Sequence, residues 1–145
     1  MPSASRLATR PDRVTGPPDF FIDRSLGQKQ VPALLRDAGW KLRTLAEVYG
    51  VPNDETINDP AWLRLAGEQG WAVLMKDEKV RYRAAELHAL IAGDVRTFCL
   101  TSGNLPAEEM ARCLLRHQAQ IWKACADQGP FVYAVSVREI RRIDL

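Results

Sequence analysis

The stretch "DFFIDRSLG", residues 19–27, is apolar and β-forming through Ile22, then stops on a carboxylate. Phe20, Phe21 and Ile22 are residue types that favour a short buried strand. Asp23, at its end, admits two readings. It accepts hydrogen bonds from backbone amides of the following turn, or it forms one corner of a metal site. The two readings make different demands on the rest of the chain.

Strand and helix patterns alternate from there. In "SLGQKQVPALLRDAG", Leu26, Val31, Leu34 and Leu35 share a helical face, and Gly39 suits the stop. Pro32 belongs in a first turn, so this helix is predicted to begin near Lys29. "WKLRTL" (40–45) alternates as a second strand, and "YGVPNDETIND" (49–59) reads as a loop. "PAWLRLAGEQG" (60–70) is a helix with Asp59 as N-cap, Pro60 at its first position and Gly70 past its end. "WAVLM" (71–75) has the continuous apolarity of a buried parallel strand. A helix over 85–93, a strand over 95–101 and one long amphipathic helix over 106–129 follow. A strand over 131–137 and a short hairpin or edge strand over 139–145 complete the pattern. This order predicts an α/β domain with a largely parallel sheet.

A chain of 145 residues, 46% apolar and 26% charged, suits one domain around one core. Residues 1–18, rich in Pro, Ser, Thr and Arg, are expected to form a disordered leader, and 19–145 the folded domain. The leader has no apolar segment of the kind a secretory signal needs. No run approaches the ~20 apolar residues of a membrane span. Cys99, Cys113 and Cys125 are odd in number and widely spaced, which fits buried, reduced thiols in a cytoplasmic protein. A net charge of +2 makes no global case for nucleic-acid binding, so any such case is local. The P-loop, dinucleotide-binding, nucleophile-elbow and zincin motifs are all absent from the sequence.

In sheets of this class, sites form beyond the carboxyl ends of the strands, where the strand order reverses. Asp23 closes the first strand, and Asp77, in "WAVLMKDEK", follows the third. Asp59 opens the helix that feeds the third strand, which places it on the same edge. If strands one and three are neighbours, the three carboxylates converge. Grouped carboxylates repel one another, so they shift their pKa values or bind cations. Their hard oxygens suit Mg²⁺ or Mn²⁺, and such an ion supports hydrolysis of a phosphodiester. Taken singly, Asp59 also reads as a cap, Asp77 as a solvated turn residue and Asp23 as a turn former.

Glu47 follows the second strand and reads as a solvent-facing residue on a helical turn. Asp54, Glu55 and Glu78 read as solvated loop acids, with Asp54 and Glu55 in reserve if Asp59 only caps. Arg24, Lys76, Lys79, Arg81 and Arg83 flank the acids and suit a phosphate backbone, or a mixed-charge surface turn. Tyr82 suits a base stack or a core cover. His88 and His117 lack partners at metal-ligand spacing and read as structural or surface residues. Thr101, Ser102 and Asn104 end the fourth strand as a turn and helix cap, or as phosphate contacts.

Three ordered stretches, "FFIDRSLG", "NDPAWLRLAGEQGWAVLMKDEKVR" and "FCLTSGNLPAEEMARCLL", resemble the PIN-like domains, in particular the small branch related to the VapC-type toxins and to the Mut7-C and DUF5615 groups. The resemblance implies a three-layer fold, a mainly parallel central sheet flanked by helices. It also implies an Mg²⁺- or Mn²⁺-dependent endoribonuclease silenced by a cognate antitoxin encoded beside it. The partners expected are RNA and that antitoxin, without a membrane; a homodimer is one option, and the oligomer is left open by the sequence. Asp23 matches the first-strand acid of the family. Asp59 matches the acid of its D-x-x-W stretch, with Trp62 as the aromatic, and Asp77 matches the acid of the T-[KR]-D stretch. The chain departs from the pattern at Met75, where threonine is usual, and at Lys79, where many members carry another acid. Activity would then rely on the three acids alone, or on Glu47 or Glu78 as substitute.

The leading expectation is an endoribonuclease toxin. Asp23, Asp59 and Asp77 hold the metal, and Arg24, Lys76 or Arg81 orient the phosphate. The alternative, motivated by Lys79, is a non-catalytic PIN-like module that binds RNA or protein. A phosphoryl-accepting receiver domain ranks last, because the first strand lacks an acidic pair and no lysine closes a late strand.

Overall fold

The computed structural model describes residues 16–76, 83–101 and 104–145. Asp77, Glu78, Lys79, Arg81, Tyr82 and Ser102 lie outside the described residues, as does nearly all of the expected leader. The strands are β1 (Asp19–Ile22), β2 (Lys41–Thr44), β3 (Ala72–Lys76), β4 (Arg96–Leu100), β5 (Phe131–Val135) and β6 (Ile140–Ile143). The helices are α1 (Gln30–Asp37), α2 (Leu45–Tyr49), α3 (Asp59–Gln69), α4 (Ala84–Ala92), α5 (Ala107–Arg116) and α6 (Gln118–Ala124).

The six strands form one sheet in the order β2-β1-β3-β4-β5-β6. All pairings are parallel except β5 with β6, which closes the sheet as an antiparallel edge hairpin. The order reverses between β1 and β3, so the crevice at their carboxyl ends is where this topology places a ligand.

Alternate side chains build two cores, one on each face of the sheet. Phe20, Ile22, Leu74, Phe98 and Phe131 pack with Val31, Leu35, Met110, Leu114 and Ile121 of α1, α5 and α6. Phe21, Val73, Cys99 and Val132 pack with Leu45, Trp62, Leu63, Ala89 and Leu90 of α2, α3 and α4. The result is the expected three-layer fold. Phe20, Phe21 and Ile22 are fully buried, each contributing about 1.5–3 kcal/mol of apolar transfer.

Pro32 sits in the first turn of α1, as its missing N–H requires. The long helix expected over 106–129 is instead two helices broken at His117, whose φ of −102° and ψ of 15° depart from the helical values. The buried His117 ring explains the break: its Nε2 donates to the carbonyl of Ser136, 2.9 Å away, in the β5–β6 connection. His88 is exposed on α4.

Helices α3 and α4 run in parallel, both starting at the carboxyl edge. They cross closely near their far ends. A Cβ added at Gly67 would lie 2.6 Å from the carbonyl oxygen of Gly93, so only glycine permits this approach. Among the described residues, no helix is long and apolar enough to cross a membrane.

Candidate active site

β1 delivers Asp23 to the crevice. Its backbone N–H extends the β1–β3 ladder by donating to Leu74 O at 2.9 Å. Its Oδ2 accepts from the Ser25 N–H at 3.2 Å and the Ser25 hydroxyl at 2.6 Å. Asp23 thereby caps a single 3₁₀ turn over Arg24–Leu26, which ends at Gly27 with a φ of 86° that favours glycine. The other oxygen, Oδ1, is buried and has no hydrogen-bond partner among the described residues. The capping and site readings of Asp23 are therefore compatible: one oxygen serves the turn and the other is left for something else.

Ser25 has a second contact. Its Oγ accepts from the backbone N–H of Lys76 at 3.0 Å, tying the turn after β1 to the last residue of β3. Sequence reasoning passed over Ser25, because its partner is 51 positions away.

Asp59 is the first residue of α3 rather than its cap. Asn58 takes that role, its Oδ1 accepting from the Ala61 N–H at 2.9 Å, and Pro60 follows Asp59 as the second helical residue. Both Asn and Asp make good caps, and the sequence "ND" leaves the choice to the backbone. The outcome frees the Asp59 side chain. Trp62, one turn along on the same helical face, donates its indole N–H to Asp59 Oδ1 at 2.9 Å. The indole is 1% exposed and stacks on Phe21 with ring centroids 5.3 Å apart. The D-x-x-W spacing thus fixes one carboxylate oxygen through an aromatic anchored in the core.

Burial raises the pKa of Asp23, and the negative charge of nearby Asp59 raises it further, while the Ser25 hydrogen bonds pull the other way. A cavity of about 840 Å³ contains both acids. Arg24, Ser25, Trp62, Met75, Lys76 and Asn104 also line it, together with Arg83 and Glu86 at the start of α4. Glu86 was missed by sequence reasoning, and Arg83 was noted only as a flanking cation. Their place depends on how α4 packs beside α3, which no local motif encodes.

The remaining candidates are placed as follows. Arg24 lines the cavity, but its Nη2 donates to the carbonyls of Asp54 at 3.1 Å and Ile57 at 2.7 Å, clamping the turn after β1 onto the loop before α3. Asp54 is buried and accepts from Gln28 Nε2 at 3.3 Å, while Glu55 is exposed. Glu47 is engaged away from the cavity: its Oε1 accepts from Arg36 Nη2 at 2.6 Å and from the Thr44 N–H at 3.0 Å, and the Arg36 contact leads in lowering its pKa. Thr101 uses its backbone N–H on Val135 O. The three cysteines are buried and unbridged, and burial pushes the Cys125 thiol up to about 12.

Hard carboxylate oxygens, one of them buried and lacking a donor, form a set that fits a divalent cation. Among the described residues no three acids are grouped closely enough to complete such a site. A metal here would therefore draw on a donor beyond Asp23 and Asp59. Asp77, the next residue after β3, lies outside the described residues.

Residues 18–102 match the sequence profile of a family described as "PIN like domain". A protein of Mycobacterium tuberculosis described as "Putative ribonuclease VapC45" is 37% identical over 124 residues, spanning 86% of this chain and 90% of that protein. No solved structure matches the chain. With the three-layer fold and the profile match in agreement, this chain belongs to the PIN-like domain family, in its VapC-type branch.

Proposed function

We propose that this protein is a metal-dependent endoribonuclease, the toxin of a module in which a cognate antitoxin silences it, acting in the cytoplasm. The observation that carries the reading is the Asp23 carboxylate at the β1–β3 switch point, with a buried, partnerless oxygen beside Asp59. Asp23 and Asp59 share one cavity, and burial together with the charge of Asp59 works against the charged form of Asp23, an arrangement that is costly to stability and has a use if a cation joins them. The "ribonuclease" in the relative's description supports the same class of reaction.

Asp23, Asp59 and Asp77 would hold Mg²⁺ or Mn²⁺. Such an ion, when bound, supplies a bound water of lowered pKa and offsets charge at the phosphate. The chain's own residues orient these donors. Ser25 fixes the Asp23 rotamer through its Oδ2 and braces β1 against β3 through the Lys76 N–H. Trp62 fixes Asp59 through Oδ1 and anchors it to the core through Phe21. Donors that hold a metal-binding carboxylate in place commonly affect metal affinity or activity by about 10–100-fold.

The test is cleavage of single-stranded RNA by the full chain with Mn²⁺ or Mg²⁺, with and without EDTA, beside Asp23→Asn and Asp77→Asn. Metal-dependent cleavage lost in both variants is expected. Cleavage that survives EDTA or both substitutions overturns the mechanism. RNA binding without cleavage under any metal favours the non-catalytic module.

A further inference from the structure

The acids of the cavity repel the polyanion they are proposed to cut, so an RNA phosphate needs a cation beside them. Among the described residues Arg24, Lys76 and Arg83 line the cavity, and the two arginines differ in what already occupies them. Arg24 donates through Nη2 to two backbone carbonyls, Asp54 O and Ile57 O. Arg83 stands just before α4, with its Nη1 3.8 Å from Asp59 Oδ2 and 3.7 Å from Glu86 Oε1. Both separations exceed hydrogen-bond length, so charge holds the group without locking it into a fork. The Arg83 side chain is 57% exposed, whereas Glu86 is recessed at 14%. A recessed acid thus steadies a cation at the mouth, while the fork of N–H donors faces no geometric partner among the described residues.

We propose that Arg83 is a phosphate-binding residue of this cavity and that Glu86 is its positioning residue. This rests on the ribonuclease reading and deepens it. On RNA binding, the guanidinium turns from the two carboxylates to a backbone phosphate beside the cleaved bond and holds it through two parallel N–H donors. Glu86 keeps the arginine over the cavity between turnovers. One phosphate thus takes the place of two carboxylates at the same cation.

The test uses the full chain in EDTA, with a fluorescently labelled single-stranded RNA followed by anisotropy between about 50 and 200 mM salt. Arg83→Gln is expected to weaken binding by about ten-fold and to reduce the salt slope by about one. Arg83→Lys is expected to keep the slope but recover only part of the affinity, because a point charge lacks the fork. Because that variant retains the charge, it also serves if Arg83→Gln fails to fold. Glu86→Gln is expected to keep the slope and, in Mn²⁺-supported cleavage, to lower kcat more than it raises KM. Wild-type affinity and slope in a folded Arg83→Gln overturn the inference, as does full wild-type affinity in Arg83→Lys. Failure of the ribonuclease reading looks different, because the wild-type chain itself would then not cleave RNA.

Discussion

Neighbouring parallel strands β1 and β2 each lead into an acid at the carboxyl edge, and the two acids meet opposite fates. After β2, Thr44 and Glu47 form a reciprocal capping box at the start of α2, and Arg36 adds an ion pair at 2.6 Å. These donors, led by Arg36, favour the charged form of Glu47, so its pKa falls. After β1, Asp23 receives donors on one oxygen only, while burial and the charge of Asp59 raise its pKa. A local motif finishes the first arrangement, and nothing in the described chain finishes the second. The proposed carboxylate chemistry therefore draws on the acid after β1, although both acids lie on the same edge.

The strongest way to break this contrast is Asp23→Asn. RNA cleavage should fall by about 100-fold or more, at or beyond the upper end of what losing a residue that merely orients a ligand costs. The same variant should melt at a higher temperature than the wild type, because the burden of an ionised, desolvated carboxylate is gone. A lower melting temperature would mean that Asp23 is mainly a structural cap. Next in size, Trp62→Phe keeps the stack on Phe21 but removes the donor to Asp59. Cleavage should drop by about 10-fold with the fold retained on circular dichroism. Unchanged cleavage would detach Asp59 from the mechanism.

Thr44→Ala sharpens the other side. Loss of the N-cap should cost about 0.5–2 kcal/mol, read from denaturant unfolding, while cleavage stays at the wild-type level. The smallest effects are in the pH dependence, and they have opposite signs. The raised pKa of Asp23 is an unfavourable contribution that appears as pH climbs through its folded value and is absent below the ordinary 3.8. The melting-temperature advantage of Asp23→Asn should therefore shrink as the pH is taken below that value. Glu47 has a lowered pKa, so its contribution is present above the ordinary 4.5 and lost as pH falls through the folded value. The penalty of Glu47→Gln should accordingly vanish on acidification. A pH-independent gap in either variant removes the electrostatic account of that acid.

Much of the layout was legible because it depends on local composition. Strand β1 announces itself through Phe20, Phe21 and Ile22, and the edge rule then brings Asp23 and Asp59 to one crevice. What was not legible depends on distant partners. Ser25 matters through Lys76, the break at His117 through Ser136, and Glu86 and Arg83 through the packing of α4 on α3. The cap at Asn58 was missed for a local reason, since two good capping residues are adjacent in sequence.

The glycine crossing of α3 and α4 has a mechanical consequence. Gly67 lies eight residues along α3 from Asp59, and Gly93 seven residues from Glu86. At 1.5 Å of rise per residue, each acid sits roughly 10–12 Å from the crossing. The glycines thus hold one end of the helix pair close together, and the acids stand at the other. A methyl group at Gly67, where a Cβ would meet the Gly93 carbonyl at 2.6 Å, does not fit this approach. Gly67→Ala is thus expected to spread the helix pair that carries Asp59 and Glu86, an effect reached from the far end of the helices through residues whose contribution is the side chain they lack.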